Sequence, residues 1–182
     1  MAYWDQRWTE VGPAPVTSPS PDPPHFADLL DWFPTTGRAL DIACGRGRGT
    51  AWLAQRGLSV TAVDVSPVAI DMARRYVSAM GLEGFCTFAV ADLDLGIPLD
   101  GRFDLVVSYL YWQPHLTQPL VNLTTKGGLV AICHVSEADV GPGEWRIPAG
   151  ELHRAFTDVE DFDLLDAREK DGVARLLGRR MG

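Results

Sequence analysis

Cysteine is scarce: Cys44, Cys86 and Cys133 are far apart, odd in number and free of CxxC spacing. That argues against both a disulfide framework and a structural zinc site. No apolar run approaches the ~18 residues of a membrane helix. The opening residues Met1-Ala2-Tyr3-Trp4-Asp5 show neither the basic nor the apolar region of a secretion signal, so a cytoplasmic protein is expected. Basic residues are outnumbered 16 to 24, giving a net charge of −8. A broad basic surface for nucleic acid is therefore disfavoured. The four histidines match no metal-ligand spacing, and no metal is expected. What remains is ordinary globular material: 182 residues, 46% hydrophobic and 22% charged. A single domain over 1–182 is expected, with a core that needs no staples.

Proline is concentrated. Pro13, Pro15, Pro19, Pro21, Pro23 and Pro24 fall between Val11 and His25, where missing donors forbid a helix or a central strand. Residues 1–24 thus read as an aromatic segment followed by an extended strap. A short helix over His25–Phe33 should follow, with Phe26, Leu29, Leu30 and Phe33 on one face. Beyond Gly37, strands and helices alternate. Strands are expected at Arg38–Ala43, Ser59–Asp64, Phe85–Val90, Phe103–Tyr109 and Gly128–Val135. Helices are expected at Gly49–Arg56, from Pro67 to Met80 with Ser66 as N-cap, at Pro114–Thr124 and at Pro148–Phe156. Two last strands, Phe162–Arg168 and Val173–Arg180, share a tight turn and must be antiparallel. The expected fold is α/β: a Rossmann-like, doubly wound, mostly parallel seven-stranded sheet. Helices should cover both faces, with one antiparallel strand near the edge.

The sharpest motif is Leu40-Asp41-Ile42-Ala43-Cys44-Gly45-Arg46-Gly47-Arg48-Gly49. Alternate glycines after a strand allow a tight turn and close backbone approach to a ligand. Asp64 stands 64 − 45 = 19 positions beyond Gly45, at the end of the next strand. A carboxylate there accepts both ribose hydroxyls of an adenosine. A nicotinamide site reads G-x-G-x-x-G, and Thr50 stands where its third glycine belongs. Asp41 beside the turn would repel a pyrophosphate but suits an ammonium. S-adenosylmethionine carries an ammonium, a sulfonium and no phosphate.

These residues resemble the class I S-adenosylmethionine-dependent methyltransferases, and the resemblance covers nearly the whole chain. Asp41–Gly49 resembles that family's glycine motif, Val63–Pro67 its ribose segment and Ala91-Asp92-Leu93 its adenine segment. Phe103–Val107 resembles its fourth strand, and Thr125–Val130 the turn into its fifth, with Lys126 replacing the usual proline. Tyr3-Trp4-Asp5, Cys44–Gly47 and Pro148–Leu152 resemble small methyltransferases of the tellurite-resistance and thiopurine type. The resemblance implies that Gly45 and Gly47 meet the methionine part, and that Asp41 favours its ammonium. It implies further that Asp64 holds the ribose, Val65 packs on adenine, Asp92 and the Leu93 backbone read the adenine edge, and Ser108 and Tyr109 lie beside the methyl.

Methyl transfer from a sulfonium is an in-line displacement in which positioning carries much of the rate. Aromatic faces welcome a desolvated cation. Tyr3, Trp4 and Trp8 are lid candidates, and Tyr111, Trp112 and Trp145 are candidates for the acceptor pocket. An acceptor that must lose a proton needs a base. His115, His134, Glu137 and His25 are the base candidates, and Tyr109 is a further catalytic candidate. A thiolate or a chalcogen oxyanion needs none. No segment could enclose a macromolecule, so the acceptor should be a small molecule and the protein a monomer or weak homodimer. The alternatives are an NAD(P)-dependent oxidoreductase and a non-catalytic S-adenosylmethionine-binding module.

Overall fold

The computed structural model describes residues 2–16 and 23–182. Most of the expected strap, residues 17–22 with Pro19 and Pro21, lies outside the described residues. Seven strands run in the order β3-β2-β1-β4-β5-β7-β6. They are β1 Arg38–Ile42, β2 Ser59–Asp64, β3 Cys86–Val90, β4 Phe103–Tyr109, β5 Thr124–Val135, β6 Phe162–Lys170 and β7 Val173–Arg180. The helices are α1 Ala2–Val11, α2 Arg48–Gln55, α3 Pro67–Ala79, α4 Thr117–Asn122 and α5 Glu151–Thr157. The pairings β1–β2, β2–β3 and β4–β5 are parallel, and β7 runs against both β5 and β6. The expected reversed strand therefore sits one place in from the β6 edge. The chain divides into two compact units, 1–100 and 101–182.

In the first unit, β1 and β2 are buried on both faces because Ala39, Leu40, Ile42, Val60, Ala62 and Val63 leave no polar face. Ser66 caps α3 as expected, its hydroxyl accepting from the Ala69 amide at 3.2 Å, and Ala69, Ala73, Tyr76 and Val77 form its buried stripe. The segment before β1 is a 3₁₀ helix, Pro24–Trp32, rather than an α-helix. Phe26 and Phe33 are buried and 5.6 Å apart, while Leu30 is only partly covered. Arg56 ties this turn to α2, donating to the Leu30 and Phe33 carbonyls at 3.0 Å while lying 5.1 Å from the Trp52 ring. The aromatic opening is α1, closed by i,i+4 bonds from Gln6 to Glu10 and from the Thr9 hydroxyl to the Asp5 carbonyl. Just past it, Ala14 is buried with Ala51, Tyr76 and Val77, which anchors the described start of the strap.

In the second unit, β5 begins four residues earlier than the glycines suggest. Phe103 pairs with Thr124 but Leu105 with Leu129, so Thr125–Gly128 are accommodated as a register shift instead of ending the strand. The expected Pro114–Thr124 helix divides into a 3₁₀ turn, Pro114–Leu116, and α4. Arg180 donates to the Asn122 and Thr124 carbonyls at 3.0 and 2.7 Å, satisfying groups that α4 leaves exposed at its end. The β6–β7 turn places Asp171 and Gly172 at φ 51° and 79°, the hairpin geometry that matches strand twist. Among the described residues, no helix is long and apolar enough to cross a membrane, and no group of three His, Cys, Asp or Glu could hold a metal.

Candidate active site

The glycine turn follows β1 with three left-handed residues, Ala43, Gly45 and Gly47, at φ 53°, 52° and 80°. Gly47 is fixed twice over, since a Cβ there would stand 2.8 Å from the Ala73 backbone in α3. Gly47→Ala should therefore lower stability by about 2–4 kcal/mol, the sum of a left-handed penalty and overpacking, as read by urea denaturation. At Gly45 a Cβ would meet the Trp8 ring of α1 at 3.0 Å.

Two buried carboxylates flank the turn. Asp41, at the end of β1, is 3% exposed and accepts the Thr50 hydroxyl at 2.6 Å. Burial pushes its pKa up to about 7, against the Thr50 bond and with a further push from the Asp64 charge. Asp64, at the end of β2, accepts the Gly45 amide on Oδ2 at 2.8 Å and the Ser66 amide on Oδ1 at 2.9 Å. Burial raises its pKa too, while those amides pull it back. Each Asp64 oxygen keeps a second lone pair, enough for a pair of ribose hydroxyls. Among the described residues, neither carboxylate is joined to a cation. A cationic ligand supplies what this pocket wall lacks, whereas a pyrophosphate would meet two acids. Burial and the same two charges raise the Cys44 thiol far above its usual range, so it is no nucleophile.

α1 closes on this turn. The Ser66 hydroxyl donates to Asp5 at 2.5 Å, and Arg46 donates to the Gly12 carbonyl at 2.9 Å with its guanidinium 5.8 Å from the Trp8 ring. Trp4 stacks on Trp8 at 6.4 Å, and Tyr3 meets Trp4 edge-on at 5.3 Å. Thr50, Arg46, Asp5 and Ser66 make contacts at this turn, and the sequence reading gave none of them a part in the site. A hydroxyl nine positions beyond Asp41, on the first turn of the following helix, was the available signal for Thr50. Val65 is partly exposed and Leu93 is buried. Asp92 is exposed, and its Oδ1 accepts the Asp94 amide at 3.1 Å to cap the Leu93–Leu95 turn.

In the second unit, β4 and β5 run in parallel with Tyr109 level with Cys133, so their carboxyl ends lie side by side. Ser108 is buried, and its hydroxyl donates to the Tyr111 carbonyl. Tyr109 and Tyr111 are partly exposed and Trp112 is buried. His115 lies on the exposed side of the Pro114–Leu116 turn. His134 is buried, with Nδ1 2.9 Å from the Val135 carbonyl. A carbonyl only accepts, so Nδ1 carries the proton and Nε2 keeps its lone pair. Burial lowers the pKa of His134 below 6.5. Trp145 is exposed at φ 63° in the loop after β5. Glu169 of β6 fastens that loop, accepting the Ser136 hydroxyl and, at 2.6 Å, the Gly150 amide.

Residues 39–128 match the family model described as a methyltransferase domain. That segment, just under half of the chain, is similar to a methyltransferase domain and contains the glycine turn, Asp64 and Asp92. It is 31% identical over 106 residues to the 2-heptyl-1-hydroxyquinolin-4(1H)-one methyltransferase of Mycobacteroides abscessus, covering 58% of this chain and 46% of that protein. Solved structures agree on the fold. TehB from Haemophilus influenzae superposes with a TM-score of 0.73 at 19% identity, over 86% of this chain and 62% of that one. Magnesium protoporphyrin IX methyltransferase from Synechocystis, with S-adenosylhomocysteine bound, gives 0.73 at 17% identity over 98% and 97%. The chain spans less than half the length of the first curated relatives it matches. S-adenosylmethionine is the family's cofactor, and the cation-free carboxylate pair around Gly45 and Gly47 fits it.

Proposed function

We propose that this chain transfers a methyl group from S-adenosylmethionine to a small-molecule acceptor whose nucleophile is a hydroxyl or thiol. The observation that carries the reading is the pair of buried carboxylates, Asp41 and Asp64, set around a left-handed glycine turn with no cation between them. S-adenosylmethionine, when bound, supplies a methyl group made electrophilic by the sulfonium. Asp64 holds the ribose through its remaining lone pairs, Asp41 compensates the ammonium, and Val65, Asp92 and Leu93 form the adenine side. Asp92 serves through its second carboxylate oxygen. Trp8, Trp4 and Tyr3 of α1 exclude water from the glycine turn. Ser108 and Tyr109 shape the end of β4. His134 takes the acceptor's proton on Nε2 while the Val135 carbonyl fixes its ring.

The test is a methyl-transfer assay on a panel of 1-hydroxyquinolin-4-one, a phenol, a thiol, selenite and tellurite, beside calorimetric titration with S-adenosylmethionine and fluorescence titration with NADH. Binding of S-adenosylmethionine but not NADH, with turnover of a hydroxyl or thiol, is the expected result. Tight NADH binding would instead favour an oxidoreductase. Cofactor binding without any turnover would favour a binding module. For a hydroxyl acceptor, His134→Gln should lower kcat by about 10²–10⁴. Wild-type kcat/KM should fall as pH drops through a pKa below 6.5, because protonated His134 no longer accepts, and the variant should lose that limb. Turnover of selenite or tellurite, unaffected by His134→Gln, would move the reading to a chalcogen oxyanion.

A further inference from the structure

The turn that leaves β4 is held in an unfavourable shape. Leu110 has φ 64°, a conformation that a bulky side chain rarely adopts. It is pinned there by its amide, which donates to the Cys133 carbonyl at 2.7 Å, and by the Ser108 hydroxyl on the Tyr111 carbonyl. Leu110 itself gains nothing by burial, being 52% exposed. The reversal instead carries the next aromatic inward: Trp112 is 3% exposed. Its indole Nε1–H is buried and has no hydrogen-bond partner. Five residues on, the buried Thr117 hydroxyl is also without one. Of the three side-chain atoms in that condition among the described residues, two fall in this one segment. Buried donors are nearly always satisfied in folded proteins, so each exception calls for a partner. Strain of this kind gathers where a ligand is held.

We propose that Trp112 is a specificity-determining residue of the acceptor site, its indole N–H donating to an oxygen lone pair, an oxyanion or ring carbonyl, on the methyl acceptor. The inference rests on the methyltransferase reading above and deepens it. An indole N–H donates and never accepts, so it rejects acceptors that offer only a hydrogen at that point. It carries no charge, and so binds an oxygen without neutralising the lone pair a nucleophile needs. An acceptor lacking the oxygen would leave the N–H unpaired in a dry site, and that penalty is the discrimination.

The experiment uses full-length protein with ¹⁵N-labelled tryptophan, and assigns the Trp112 indole resonance by its loss in Trp112→Phe. In protein saturated with S-adenosylhomocysteine, addition of 1-hydroxyquinolin-4-one should move that resonance downfield, and quinoline, which lacks both oxygens, should not. Trp112→Phe should weaken 1-hydroxyquinolin-4-one binding about tenfold or more while leaving S-adenosylhomocysteine affinity unchanged. A resonance that already exchanges magnetisation with a bound water, or stays fixed while 1-hydroxyquinolin-4-one saturates, would overturn the proposal. So would failure of 1-hydroxyquinolin-4-one to bind at millimolar concentration. Where that variant does not fold, single Trp→Phe changes at the other five tryptophans assign the Trp112 resonance by elimination, and the wild-type spectrum still decides. Failure of S-adenosylhomocysteine to bind would instead overturn the methyltransferase reading, so the two failures are distinguishable.

Discussion

Asp64→Ala is expected to weaken S-adenosylmethionine binding on the order of 100-fold or more, measured by calorimetric titration. Two hydrogen bonds from ribose hydroxyls to a carboxylate are lost together, and bonds to charged groups are worth about 1.5–3 kcal/mol each. The substitution also releases the Gly45 and Ser66 amides, which Asp64 holds at 2.8 and 2.9 Å. The Gly45 amide belongs to the turn itself, so loss of its partner loosens the backbone that meets the methionine part. Stability should fall in the same variant, because two buried donors lose their acceptor at about 1–3 kcal/mol apiece. Asp64→Asn separates the two effects. It keeps one acceptor oxygen, so only one of the two amides loses its partner, at about 1–3 kcal/mol, while its NH2 denies the second hydroxyl a lone pair. A folded Asp64→Asn protein with native cofactor affinity would remove the ribose from this carboxylate.

The strands β2, β4 and β7 were readable to the residue because each is a run of β-formers bounded by a residue that stops it. Asp64-Val65-Ser66-Pro67 ends β2 with a capped helix start, and Asp171-Gly172 opens β7. The early start of β5 was not readable. Gly127-Gly128 looks like a turn locally, and only pairing with β4 reveals that the extra residues are absorbed by a register shift. α1 was hidden for the opposite reason. It buries no residue, so no apolar stripe announces it, and what holds it is long-range: Asp5 to Ser66 and Trp8 against Gly45. In the site, Asp41, Gly45, Gly47 and Asp64 were legible because their chemistry is tied to spacing along one strand-turn-helix unit. Ser108 was legible as a residue but not in its bond, for nothing in the sequence says its hydroxyl turns back to Tyr111. Trp112 read only as an aromatic, since an unsatisfied indole N–H is a property of burial.

The raised pKa of Asp41 makes a second large prediction, with opposite signs for the empty and the loaded protein. In the empty protein the folded-state pKa, about 7, lies above the ordinary 3.8, so the folded state holds the proton more tightly. Stability is then fully present below 3.8 and declines as pH rises, until the carboxylate ionises at about 7. About three pKa units correspond to about 4 kcal/mol over the whole range, and to about 2 kcal/mol between pH 5.5 and 8. Asp41→Asn has no proton to lose and keeps an oxygen for the Thr50 hydroxyl. Its urea-derived stability should stay flat while the wild type declines, closing or reversing the gap by about 2 kcal/mol by pH 8. Cofactor binding runs the other way. The cationic ligand needs the ionised carboxylate, so wild-type affinity should rise nearly tenfold per pH unit below 7 and level off above it. The proton set free is countable by calorimetry in buffers of different ionisation enthalpy: close to one at pH 6, close to none at pH 8. Asp41→Asn should bind weakly at every pH and release no proton. A wild-type affinity independent of pH between 5.5 and 8 would mean that the ammonium does not face Asp41. The instability of two buried acids is thus the form in which the empty site stores its preference for a cation, and ligand binding releases it.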